Sequence, residues 1–98
     1  MTSKERASFR AKANRLEPLF QSGKGGISDA LIKQTDDALR ARELIKIRVL
    51  LETTPESPKE IAAKLAAATD SDVIQVIGGS IVLYRYNEEL HKDDGKKR

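Results

Sequence analysis

The chain has 98 residues, a formal net charge of +3, 39% hydrophobic and 34% charged residues, and no cysteine. This length makes one domain with one modest core, and the composition suits a small soluble globule better than a disordered chain. There is no disulfide framework or thiolate metal site, no apolar run of transmembrane length, and no signal-peptide core at the start; a cytoplasmic protein is expected.

The charge is unevenly spread. Residues 1–24 carry six cations against two carboxylates, and residues 52–72 carry two cations against five carboxylates. A positive end and a negative end follow, and a local basic field points to nucleic acid more directly than net charge does.

Thr2 and Glu5 have capping-box spacing and open a first helix expected to reach about Leu16. Phe9, Ala13 and Leu16 recur at i, i+4, i+7 as its buried stripe. Arg6 and Arg10 flank one side of that stripe, Lys12 the other. Pro18 stops the helix, since the residue before a proline avoids helical geometry. A short strand is expected over Pro18 to Ser22.

Gly23-Lys24-Gly25-Gly26 follows. Glycine lets backbone approach a ligand closely, the N–H groups opening the next helix attract phosphate, and Lys24 adds a positive charge. A G-x-x-G loop before a helix is also how KH modules clamp a nucleic-acid backbone. A plain strand-to-helix turn is the alternative reading.

The second helix is expected from Ile27 to Arg42. Ile27, Leu31, Thr35, Ala38 and Leu39 line one face and Ile32 widens it, while Asp29 and Arg42 complement the helix dipole. Glu43 to Leu51 is the clearest strand: Ile45, Ile47 and Val49 alternate with Lys46 and Arg48. One sheet face should therefore be covered and the other at least partly wet.

Ser57, Pro58 and Glu60 mark a third helix start, and Ile61, Leu65 and Ala68 form its stripe to about Thr69-Asp70. Val73 to Ile77 and Ser80 to Tyr86 are strands joined by a Gly78-Gly79 hairpin turn. Residues 1–86 form the expected domain, and 87–98 a charged tail expected to be disordered. The order αβαβαββ describes an α/β two-layer sandwich: three helices on a four-stranded mixed sheet.

Four segments in order resemble the CRM domain, named for chloroplast RNA splicing and ribosome maturation. They are Leu16-Glu17-Pro18; Gln21 to Gly26; Arg42 to Val49; and Gln75-Val76-Ile77-Gly78 followed by Val82-Leu83-Tyr84-Arg85. The resemblance covers about residues 2–86, and the length resembles the small stand-alone bacterial YhbY-type members. It implies an RNA-binding fold similar to KH modules and to the C-terminal domain of the third bacterial initiation factor. It also implies a role in large ribosomal subunit maturation. The family's loop falls on Gly23, Lys24, Gly25 and Gly26, and its basic positions in the first helix on Lys4 and Arg10. Lys12 stands where an apolar residue is expected, and Gly79 where a basic or polar one is common.

The expected RNA-binding set is Gly23, Lys24, Gly25, Gly26, Lys4, Arg6, Arg10 and Lys12, with Lys46, Arg48 and Arg85 as further phosphate contacts. Lys46 and Arg48 also read simply as solubilising residues on an open face. Tyr84 and Tyr86 are expected to pack or protect an edge instead of stacking on bases. His91 is a lone tail histidine. No catalytic triad, carboxylate dyad, zinc cluster or Walker motif can be assembled, so no enzyme, cofactor or metal is expected. The expected partner is ribosomal RNA in pre-large-subunit particles, bound by a protein that is monomeric when free and has no membrane partner. The alternative is a protein-interaction module of a ribonucleoprotein or translation complex on the same fold, with the acidic third helix as contact.

Overall fold

A computed structural model describes residues 2–21, 27–50 and 56–91. Among these, three helices and three strands follow the order α1 (Ser3–Ala13), α2 (Asp29–Arg42), β1 (Leu44–Arg48), α3 (Pro58–Thr69), β2 (Asp72–Ile77) and β3 (Ser80–Tyr84). A single 3-10 turn, Glu88–His91, comes last.

Local chemistry sets the helix ends. The Glu5 amide donates to Thr2 Oγ1 (3.1 Å), and the Thr2 amide donates to Glu5 Oε1 (3.2 Å), completing the capping box of α1. Hydrogen bonding from Thr2 holds the Glu5 carboxyl below its ordinary value, the backbone bond most. This helix ends at Ala13, short of the expected Leu16. Its last turn tightens into i→i+3 bonds, Arg15 N to Lys12 O and Leu16 N to Ala13 O, so Leu16 leaves the helix axis. Ser28, not Ile27, opens α2 by accepting from the Leu31 amide (3.1 Å). Ser57 and Pro58 open α3 as expected, and Asp70 closes it in the left-handed region (φ 55°, ψ 48°).

The sheet order is β1-β3-β2, antiparallel throughout. The expected fourth strand is reduced to a short attachment. Leu19 N donates to Lys46 O (2.9 Å), Arg48 N donates to Phe20 O (3.0 Å), and Gln21 makes a single parallel bridge with Arg48. This bridge supplies the only parallel pairing among the described residues.

The sheet carries helices on both faces, which corrects the two-layer expectation. On one face Ile45, Ile47, Ile81 and Leu83 meet Leu31 and Leu39 of α2 and Ile61 and Leu65 of α3. On the other, Ala13 of α1 meets Ile74 and Val82, with Phe9, Leu44 and Tyr84 around them. A bulge between Val73 and Gln75 leaves Ile74 as the extra residue, buried with Val82. The cause lies in β3: Ile81, Val82 and Leu83 are consecutive and each fully buried. A central strand buried on both sides needs a cover on both sides.

Two strained or paired points hold the far end together. Glu43 takes φ 65° and ψ −52°, a conformation that costs a non-glycine residue about 1–3 kcal/mol. It turns α2 directly into β1 and is held by Arg85 N donating to Glu43 O (2.9 Å) and Asn87 N donating to Glu43 Oε2 (2.7 Å). Asn87 thereby ties the start of the 87–98 segment to this turn; residues 92–98 lie outside the described residues.

Candidate nucleic-acid interface

The basic residues of α1 separate into two flanks once the helix is seated. On the β2 side, the Arg6 guanidinium donates to the Val73 carbonyl and is half-buried. It is a strut between α1 and β2 with limited freedom to reach a ligand. Arg10 and Lys4 stay exposed on the outer surface of α1. On the β1 side, the Lys12 ammonium stands 5.5 Å from the centroid of the Phe9 ring. That ring stacks on Tyr84 at 4.1 Å between centroids. The pair locks α1 to the sheet, and burial pushes the Tyr84 phenol up from its ordinary value. Tyr84 is thus a packing residue.

Lys12 does not stand alone. Together with Arg42, the last residue of α2, and Lys46 of β1, it lines a cavity of about 400 Å³ whose apolar walls include Leu16, Leu19 and Leu44. In the sequence Arg42 reads as a dipole partner and as the first residue of one family segment, not as an expected RNA contact. Its position one residue before the strained turn at Glu43 brings it beside Leu44 and Lys46, and the closeness of Arg42 to Lys46 along the chain is the available signal. Further along the same edge, the exposed Arg48 lines a shallow depression with Pro18, Phe20 and Gln21.

Gly23, Lys24, Gly25 and Gly26 lie outside the described residues. Their flanks are described: Gln21 bridges Arg48, Ile27 packs against the main core, and Ser28 caps α2. Gln21, the last described residue before them, thus stands beside Arg48 of β1.

Arg85 has a different setting. Its guanidinium donates to Asp36 Oδ1 (2.6 Å), to the Asp36 carbonyl (3.1 Å) and to the Thr69 carbonyl (2.7 Å). It clamps α2 to the end of α3 from just beyond β3. The bond to Oδ1 is the main reason the Asp36 carboxyl lies below the usual carboxylate range. The charges of Arg85 and Arg40 add to it, against the opposing effect of burial. Arg40 donates to Asp36 Oδ2 at 2.8 Å. Nothing in the sequence pattern announces this clamp, because its partners are 49 and 16 residues away.

The described cations on the α1/β1 edge are therefore Lys12, Arg42, Lys46 and Arg48, and among the described residues none of them makes an ion pair with a carboxylate. Such an edge attracts anions and, with an apolar cavity beside it, can hold an anion attached to an apolar ring. Among the described residues, no group of three or more His, Asp or Glu could hold a metal ion, and no helix is long and apolar enough to cross a membrane.

Comparison with known proteins gives these features a family. The chain is 44% identical over 89 residues to the probable RNA-binding protein YqeI of Bacillus subtilis, covering 91% of this chain and 92% of that protein. It is 42% identical over 98 residues to the probable RNA-binding protein MJ0652 of Methanocaldococcus jannaschii, covering 99% of this chain and 72% of that one. The solution structure of SAV1595 from Staphylococcus aureus, a putative RNA binding protein, superposes with a TM-score of 0.74 at 44% identity, over 89% of this chain and 90% of that one. The sequence profile of the CRS1 / YhbY (CRM) domain matches residues 1–85, so that almost every described element falls inside it, and the chain belongs to that family.

Proposed function

We propose that this protein binds structured RNA without covalent chemistry, gripping the phosphate backbone along the α1/β1 edge. The observation that carries this reading is the alignment of Lys12, Arg42, Lys46 and Arg48, which have no carboxylate partner among the described residues. Their line ends at Arg48, which bridges Gln21, the last described residue before Gly23–Gly26 in the sequence. Loop amides and Lys24 would take phosphate oxygens at one end, as G-x-x-G loops do in KH modules. Lys4 and Arg10 extend the basic surface along the outside of α1. Arg6 and Arg85 serve this surface through the fold, by bracing α1 on β2 and α2 on α3.

The RNA class we assign is ribosomal RNA of the pre-large subunit, bound in the cytoplasm by a monomer that holds or shields one conformation during assembly. Support comes from the role that the family resemblance implies and from the relatives named as probable RNA-binding proteins. No cofactor or membrane partner belongs to this reading.

The test compares Lys24→Ala and Gly25→Asp with the parent for affinity to large-subunit precursor RNA, with circular dichroism as the check on folding. Both variants should fold. Gly25→Asp should bind more weakly than Lys24→Ala, because it adds both bulk and negative charge where phosphate approaches. Parent affinity should fall steeply with salt. Parental RNA binding by both variants would make the loop a mere turn. Association that ignores salt would favour a protein-interaction module instead.

A further inference from the structure

We propose that the cavity between α1, the 14–19 connector and the start of β1 is a subsite for a single unpaired nucleotide. This deepens the RNA-binding reading and rests on it for the natural ligand. The cavity is about 400 Å³, within the range of sites that enclose a small ligand. Its walls and rim have different chemistry. Leu16, Leu19 and Leu44 offer apolar surface, and Leu19 is 39% exposed although nothing polar requires it there. Lys12, Arg42 and Lys46 stand around them, with Glu17 as the one carboxylate.

A free phosphate would have no use for the leucines. A purely apolar ligand would have no use for three cations. A nucleotide uses both: its base covers the leucines, its phosphate meets the cations, and Glu17 can accept from an exocyclic amine.

The site is built into the fold. Leu16 faces the cavity because α1 stops at Ala13. Leu19 is tied to β1 by its backbone N–H, which donates a hydrogen bond to Lys46 O (2.9 Å). The backbone of Arg42 is positioned by the turn at Glu43, which two hydrogen bonds hold. The cavity is also continuous with the cationic edge, since Lys46 and Arg48 alternate on one side of β1.

The experiment follows leucine methyl resonances by NMR with AMP, adenosine and inorganic phosphate as separate probes. AMP should shift Leu16, Leu19 and Leu44 saturably, adenosine should do so more weakly, and phosphate should leave these methyls unmoved. Leu19→Ser, at an exposed position that should not unfold the chain, should weaken AMP binding about tenfold, the size of one modest base contact. Unmoved methyls with AMP overturn the proposal, as does phosphate reproducing the shifts of AMP.

A second arm uses a blunt RNA duplex and the same duplex with one bulged adenosine. The parent should prefer the bulged duplex by about tenfold, and Leu19→Ser should erase the preference, weakening binding to the bulged duplex far more than to the blunt one. Equal weakening on both duplexes overturns the subsite while the RNA-binding reading stands. Failure of the parent to bind either duplex, with AMP still seated on the leucines, overturns the RNA reading and leaves a mononucleotide site.

Discussion

On the α2/α3 side of the sheet, Ile45, Ile47, Ile81 and Leu83 meet Leu39, Ile61 and Leu65 with almost no solvent contact. On the α1 side the buried residues among those described are Ala13, Ile74 and Val82, and the cover leaves Lys46 half-buried and Arg48 exposed. One strand, β1, contributes to both. Its odd-numbered residues Ile45 and Ile47 enter the dry core, while Lys46 and Arg48 face the thinner side. The contrast teaches that stability and proposed binding are separated by the two-residue period of a strand, so neighbouring substitutions should have opposite readouts.

The largest expected effect tests this directly. Ile47→Ala should cost about 2–5 kcal/mol in thermal or urea unfolding, because the site is fully buried and cannot easily collapse. Lys46→Ala, one residue away, should stay within about 0.5 kcal/mol of the parent. Similar losses for both would erase the distinction between the faces.

Arg85→Ala comes next. It removes a guanidinium shared by Asp36 and the Thr69 carbonyl, and after allowing for solvent screening should cost about 1–2 kcal/mol. The same pair predicts an acid dependence. The folded-state value of Asp36 is depressed, so its stabilising charge is fully present above the ordinary carboxylate value. It is lost as pH falls below that value through the folded one. Unfolding measured between about pH 5 and pH 2 should show this loss in the parent and a flatter profile in Arg85→Ala. An unchanged acid limb would show that other carboxylates dominate.

Phe9→Ala sharpens the comparison from the thin side. It removes the stack on Tyr84 and half-buried apolar surface, at about 1–2 kcal/mol. Hydrogen exchange should quicken in α1 while β1 and β3 keep their protection. Uniform quickening would mean that the two faces unfold as one unit.

The smallest stability effect should accompany a clear binding effect. Lys12→Ala and Arg48→Ala should leave the melting curve within about 0.5 kcal/mol of the parent. Each should reduce the slope of log affinity against log salt by about 0.7–0.9 for every phosphate that the missing cation had neutralised. Weaker affinity with an unchanged slope would place that cation in base recognition or in packing.

Much of the local structure is legible in the residues. The Thr2–Glu5 box, the Ser57-Pro58 start, the alternation along β1 and the Gly78-Gly79 hairpin all express interactions within a few residues, which a chain specifies by itself. The Ser28 cap is equally local, but the apolar Ile27 beside it fits the helical stripe and masks it. The run Ile81-Val82-Leu83 already signals a strand buried on both faces, so the second helical layer has a trace in the sequence as well.

What only the tertiary structure decided were pairings across long separations. An apolar stripe says that a helix face is covered but not by what, so the seat of α1 opposite α2 and α3 came from packing. Leu19 and Phe20 look like a strand, yet β1 has β3 on its other side and gives this segment one parallel bridge. Lys12, Arg42 and Lys46 look like three separate surface charges along the chain, and the turn at Glu43 together with the seat of α1 gathers them at one cavity. Arg85 looks the same, and Asp36 and Thr69 make it a clamp. Composition determines that such charges exist; only the meeting of distant segments determines which are consumed by the fold and which remain to meet a ligand.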